Sequence, residues 1–286
     1  MVYKHNISCI SLFLFMSIGC SFAQEENHGI LETHVYSTTV KGPESKKLEI
    51  YLPADYYADT KEYPVVYLLH GANGNESSWI KQGNILNDID SLVLGGIIDE
   101  YIYVFPNTNR YYNDYDSIGS RTTDSVESYL NLNGSAEYSF IHDVVTYVER
   151  TFRTIEQKEF RAIAGLSLGA LQSIYISANA AELFGYIGLF SPVIYPPMNF
   201  GKHTYFYRNL EDKLINQFSS TSSPTLYLII IGKDDAFYKS AYQYSKILSK
   251  LKCEHVFETT TGGHTWYNWT RYCTEFLHSL QWGHIP

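Results

Sequence analysis

Phe160-Arg161-Ala162-Ile163-Ala164-Gly165-Leu166-Ser167-Leu168-Gly169 is a short, largely apolar run that ends in Gly-x-Ser-x-Gly. Glycines two residues before and two after the serine let a strand turn sharply into a helix with the serine at the apex, its hydroxyl held clear of the backbone. The pattern is weak alone, because glycine and serine are common. Its surroundings give it weight: a strand over Phe160 to Ala164 precedes it, and a helical stretch to about Asn179 follows.

Strand and helix signals continue to alternate on both sides of this turn. Upstream, Tyr63-Pro64 leads into Val65-Val66-Tyr67-Leu68-Leu69, which stops at His70-Gly71-Ala72-Asn73-Gly74. Such an unbroken apolar run fits a strand covered on both faces. Tyr101 to Phe105 is a second, halted by Pro106-Asn107. From Tyr138 to Phe152, the residues Phe140, Ile141, Val144, Val145, Val148 and Phe152 recur at three- and four-residue spacing and predict a helix. Downstream, strands are expected at Tyr186 to Phe190, Leu226 to Ile231 and His255 to Glu258, and helices at Ala236 to Leu251 and about Trp266 to Leu280. Residues 33 to 40 and 47 to 52 alternate in polarity around Lys41-Gly42-Pro43, a hairpin pattern. The expected architecture is α/β: a mostly parallel central sheet with helices on both faces and an antiparallel N-terminal hairpin. Active sites of such sheets lie at the carboxyl ends of the strands. No linker or repeat divides residues 24 to 286, which are expected to form one domain.

A serine hydroxyl is a poor nucleophile until a base takes its proton and a third group orients that base. In this type of fold the partners follow in the order serine, acid, histidine, each after a later strand. Gly232-Lys233-Asp234-Asp235 and Gly262-Gly263-His264 stand at those two places. His264 is therefore the candidate base. Either aspartate suits the acid, and the other is expected to cap the next helix. An ester hydrolase also needs two N–H groups aimed at the oxyanion. The amide of Leu168 supplies one and that of Ala72 the other, while His70 is expected to brace its loop and not to act as a second base. The imidazole of His264 must be neutral to act, so activity should fall as acid protonates it.

Bulk composition sets limits on partners. Hydrophobic residues make up 45% and charged residues 18%, sufficient for a sizeable core, and the formal net charge of -9 disfavours nucleic acid or anionic membranes. The 26 tyrosines suit a ligand with stacking faces and hydroxyls. Lys4 and His5 precede an apolar stretch, Ile7 to Ile18, too short to span a bilayer, and Ser21-Phe22-Ala23 fits a cleavage site. Residues 1 to 23 are thus expected to be a signal peptide, with export to the periplasm or beyond and no membrane span. The competing expectation is a lipid anchor on Cys20 after Ile18-Gly19, although Ser17 stands where such signals usually have leucine. Cys253 and Cys273 are the cysteines of the processed chain, and a disulfide or two buried thiols fit equally well. No spacing supports a metal site.

With these residues assembled, the chain resembles the esterase D and feruloyl esterase family of α/β hydrolases, related to carbohydrate esterase family 1, which includes acetyl xylan esterases and S-formylglutathione hydrolases. The resemblance rests on Tyr63 through Gly71, Ser78-Trp79, Phe140 through Phe152, Ala164 through Gly169 and Gly263-His264-Thr265-Trp266. It implies the α/β-hydrolase fold, metal-free and cofactor-free hydrolysis through an acyl-enzyme, and Asp235 as the acid, with Asp234 the runner-up. Ala170 replaces a glycine often found after the elbow, and Tyr195 to Tyr207 departs from the family pattern. With export, the implied substrate is a feruloyl or acetyl ester on plant cell-wall polysaccharide or oligosaccharide. Trp79, Tyr111, Tyr112, Tyr115 and Trp266 are candidates to line its site. Two rivals stand beside this reading: an acyltransferase using the same three side chains, and an inactive carbohydrate-binding homologue. The second should lack a member of the triad, and none is missing.

Overall fold

The computed structural model describes residues 28–39, 44–109, 136–194, 210, 212–219, 221–280 and 282. The expected signal peptide with Cys20, the Lys41-Gly42-Pro43 turn, Tyr111, Tyr112, Tyr115 and the segment from Tyr195 to Tyr207 lie outside them.

Eight strands among the described residues form one sheet in the order β1-β2-β4-β3-β5-β6-β7-β8. They are β1 (Ile30–Ser37), β2 (Ser45–Leu52), β3 (Val65–Leu69), β4 (Ile102–Pro106), β5 (Arg161–Leu166), β6 (Tyr186–Phe190), β7 (Leu226–Gly232) and β8 (Val256–Thr260). β1 pairs antiparallel with β2, Ile30 facing Leu52, and β2 pairs antiparallel with β4. Every other pairing is parallel. The fold is thus the α/β-hydrolase type expected, with its N-terminal hairpin at one edge.

Residues along each central strand point alternately to two faces, and each face carries its own core. Val65, Tyr67, Leu69, Ile102, Val104 and Ile163 belong to one, and Val66, Leu68, Tyr103, Phe105, Ala162 and Ala164 to the other. This double burial explains why β3 and β4 read as unbroken apolar runs instead of alternating ones. Burying one such side chain contributes roughly 1.5–3 kcal/mol. The free cysteines are likewise divided, Cys253 in the first core and Cys273 in the second, so the sheet stands between the two thiols. Burial pushes the Cys253 thiol up to about 11 and that of Cys273 higher still.

The helical stretch Ala136–Ser139, Phe140–Val144 and Val145–Thr151, here α3, contains a π-helical turn at its centre. Its predicted face is the buried one: Phe140, Val144, Val145 and Val148 are at most 3% exposed. The helices α1 (Ser78–Lys81) and α2 (Ile85–Leu94) are additions to the sequence expectation. The buried positions of α2, Ile85, Ile89 and Leu92, do carry helical spacing. Further along come α4 (Leu168–Asn179), α5 (Tyr238–Lys250) and α6 (Trp266–His278).

Strand order decides where a ligand can sit. From β3 the chain moves outward to β4, then crosses back to place β5 on the other side of β3. The loops leaving the carboxyl ends of β3 and β5 therefore diverge, and the crevice between them is where open α/β sheets bind ligands. The loop at His70 leaves β3, and Ser167 leaves β5.

Candidate active site

Ser167 follows β5 directly and has φ 55° and ψ −115°, a conformation that residues with a Cβ rarely adopt. Such strain costs about 1–3 kcal/mol and persists only where the surroundings impose it. Here the end of β6 does so: the Ser167 N–H donates to the Phe190 carbonyl (2.9 Å), and the Val193 N–H donates to the Ser167 carbonyl (3.2 Å). The flanking glycines are required by contact. A Cβ on Gly165 would lie 2.4 Å from the Gly169 carbonyl carbon, and one on Gly169 would lie 2.4 Å from the His70 carbonyl oxygen.

Three side chains form a line behind this turn. The Ser167 Oγ lies 2.9 Å from His264 Nε2, and His264 Nδ1 lies 2.9 Å from Asp235 Oδ2. A carboxylate can only accept, so Nδ1 carries the proton and Nε2 offers its lone pair to the serine hydroxyl. The imidazole is held from its sides as well. Trp269 packs edge-on at 4.8 Å between ring centroids and Phe237 lies tilted at 5.1 Å.

Asp235 and Asp234 are distinguished by their partners. The side chain of Asp235 has no solvent exposure, and its Oδ1 accepts the Phe237 N–H at 2.9 Å. Asp234 is exposed, and its Oδ2 accepts the Gly262 N–H at 3.2 Å, which ties the acid-bearing turn to the histidine-bearing one. It does not cap α5 as expected. Asp235 itself holds the N–H just ahead of that helix. The two turns touch backbone to backbone, since a Cβ on Gly232 would fall 1.9 Å from the Gly262 carbonyl oxygen. Asn268, buried, donates from Nδ2 to the Gly263 carbonyl (2.7 Å) and so fixes the residue before His264.

Burial alone would push the Asp235 carboxyl up. Hydrogen bonds from His264, from the Phe237 N–H and from the Ser191 hydroxyl, with the charge attraction of His264, outweigh it and hold the group below the ordinary carboxylate range. The Ser191 hydroxyl, poorly aligned with the carboxylate, is the weakest of the three hydrogen bonds. A carboxyl depressed on folding stabilises the protein above its unfolded pKa of about 3.9 and loses that contribution as pH falls through the lower, folded value. Comparison of wild type with Asp235→Asn in urea should therefore show their stability difference changing against wild type as pH falls below about 4. A difference independent of pH in that window would contradict the depressed carboxyl.

The loop after β3 lies against the serine. A Cβ on Gly71 would sit 2.6 Å from Leu166 Cδ1 and 3.3 Å from Ser167 Cβ, so the loop passes close against the nucleophile turn. The next residue is Ala72, whose amide is the second oxyanion candidate. Leu168 opens α4, and first-turn N–H groups of a helix have no acceptor within it. His70 is 3% exposed and bonded on both ring nitrogens, to the Gly71 carbonyl and the Thr108 N–H, as a brace would be.

The aromatic candidates fare differently. Trp79 is 1% exposed, its Nε1 donates to the Leu69 carbonyl (3.1 Å), and its ring packs edge-on against Phe190 and Trp266. The expectation that it lines a substrate surface is corrected: it closes the core under β3. Trp266 is half-buried between Trp79 and Trp269. Two further aromatics pack on His264 without being candidates from the sequence, Phe237 and Trp269. Their sole sequence signal is position, two residues after Asp235 and five after His264. Among the described residues no group of three or more histidine, cysteine or acidic side chains is arranged to hold a metal, and no helix is long and apolar enough to cross a membrane.

Comparison with known proteins accords with this geometry. An endo-1,4-beta-xylanase/feruloyl esterase of Xylanibacter ruminicola is 31% identical over 183 residues, covering 62% of the chain. The chain spans only 23% of that relative's length, and 13% of that of an endo-1,4-beta-xylanase of Acetivibrio thermocellus. A ferulic acid esterase of Anaeromyces mucronatus superposes with a TM-score of 0.70 at 24% identity, over 88% of this chain and 90% of that one. An S-formylglutathione hydrolase of Staphylococcus aureus superposes with a TM-score of 0.68 at 17% identity, over 88% and 99%. The family model for Esterase matches residues 41–277, and the chain belongs to that family.

Proposed function

We propose that the chain is an exported serine esterase that removes feruloyl or acetyl groups from plant cell-wall polysaccharide through an acyl-enzyme on Ser167. The observation that carries the chemistry is the unbroken hydrogen-bonded line Ser167–His264–Asp235. His264 takes the hydroxyl proton as Ser167 attacks the ester carbonyl, and the buried Asp235 carboxylate stabilises the imidazolium that results. The N–H groups of Ala72 and Leu168 receive the oxyanion. His264 then returns the proton to the leaving alcohol, and water repeats the sequence to release the acid.

Support for the substrate comes from the relative whose name joins xylanase and feruloyl esterase, and from the neighbour of known structure solved with ferulic acid. The export reading rests on the sequence of residues 1 to 23. Methyl ferulate, acetylated xylan and a simple aryl acetate compared side by side test the substrate class. The expected result is a kcat/KM for methyl ferulate or acetylated xylan at least tenfold above that of the aryl acetate. Equal rates on all three would remove the cell-wall reading and leave the esterase chemistry standing.

A further inference from the structure

His70 sits at the start of the loop after β3, and its bonds govern how one peptide group in that loop is turned. Its Nε2 lies 3.1 Å from the Thr108 backbone nitrogen, and a backbone N–H can only donate. Nε2 must therefore hold a lone pair, which leaves the proton of the neutral ring on Nδ1. That nitrogen lies 2.8 Å from the Gly71 carbonyl and donates to it. The Thr108 hydroxyl does not disturb this assignment, because it donates to Gln172 Oε1 at 2.9 Å. Gln172 belongs to α4, the helix that follows Ser167, and its Nε2 donates back to the Thr108 carbonyl at 3.2 Å.

The carbonyl that His70 holds belongs to the Gly71–Ala72 peptide. No cis bond occurs among the described residues, so this peptide is trans and its C=O and N–H point in opposite directions. Holding the Gly71 oxygen on the His70 side turns the Ala72 N–H to the other. The Gly74 N–H shares the same oxygen at 3.1 Å, and a Cβ on Gly74 would come within 3.0 Å of the imidazole, so the loop closes tightly over the ring.

We propose that His70, locked as the Nδ1–H tautomer by Thr108, is a positioning residue that orients the Ala72 N–H toward the oxyanion. This rests on the esterase reading above and adds to it how the second donor is set. It differs from plain loop bracing in one respect: the bond to Gly71 matters for rate, whereas the bond to Thr108 matters only by choosing which nitrogen is protonated.

Two amides separate these roles. An asparagine at 70 places its Nδ2 where Nδ1 stood and retains the donor to Gly71 while losing Thr108. A glutamine reaches the place of Nε2, accepts from Thr108 and loses Gly71. With p-nitrophenyl acetate, His70→Gln should lose about 10²-fold in kcat with KM little changed, the cost of one oxyanion donor, while His70→Asn loses less than tenfold. Glutamine equal to or better than asparagine would overturn the proposal, as would both retaining full activity. Should either variant fail to fold, long-range ¹⁵N spectra of the unaltered protein decide the matter: the Nδ1–H form of His70 is expected, and an Nε2–H or doubly protonated ring refutes it. Ser167→Ala serves as the reference in the same assay. If it retains turnover, the esterase reading fails; if it is inactive while His70→Gln is fully active, only the role of His70 fails.

Discussion

Ser167→Ala should abolish hydrolysis of p-nitrophenyl acetate, with kcat falling on the order of 10⁴-fold or more, while the protein remains folded. The two halves of this expectation have separate causes. The rate falls because the attacking oxygen is gone, and the oxyanion donors retain only the fraction of catalysis that needs no covalent step. The fold survives because alanine, like serine, carries a Cβ at φ 55°, so the strain of the turn is neither relieved nor increased. Removing the hydroxyl gives up its hydrogen bond to His264 Nε2, while the backbone bonds that hold the turn remain. Steady-state kinetics and a thermal melt on the same sample check both halves, with a melting midpoint within a few degrees of wild type expected. Turnover that persists after the substitution would remove Ser167 from the mechanism.

Adjacent aspartates offer a contrast of nearly equal size. Asp235→Asn should lower kcat by about 10⁴-fold, because an amide facing Nδ1 can donate to it and so drive the imidazole proton to Nε2. A protonated Nε2 cannot accept from the serine. Asp234→Asn should cost less than tenfold, since the asparagine oxygen can still accept the Gly262 N–H that Asp234 holds now. Both variants have the same charge and nearly the same volume, so a large difference between them reports the carboxylate behind His264 alone. Equal losses, or the larger loss at 234, would contradict the geometry at Asp235. Measurement of kcat and KM separately adds a check: the effect at 235 belongs in kcat.

Those two neighbours also show what local sequence can and cannot specify. The turn Gly165 to Gly169, the central strands and most helices are legible because their signals are short-range: glycines where a side chain would collide, apolar runs where both faces are covered, and a three- to four-residue period where one face is buried. Even so, α5 begins at Tyr238 and not at Ala236, because Asp235 spends its second oxygen on the Phe237 N–H. The partner of Asp234 lies 28 residues away, and nothing near Asp234 announces it. Trp79 misleads for a similar reason. An aromatic beside a candidate site resembles a ligand platform until its indole N–H is found bonded to the end of β3. The helix at Ile85–Leu94 is readable in principle, since its buried residues recur correctly, but it is short and follows a polar, glycine-bearing loop that masks its start.

With no side chain at Gly232, the carbonyl of Gly262 rests directly on the neighbouring main chain, and Asp234 fastens the same pair of turns. Acid and imidazole therefore ride on a single plate at the carboxyl ends of β7 and β8, while the hydroxyl rides on β5, two strands inward. Any warping of the sheet between them leaves the imidazole–carboxylate gap untouched and opens the gap to the nucleophile, so warming such an esterase should uncouple attack from proton transfer well before the acid loses its grip on the ring.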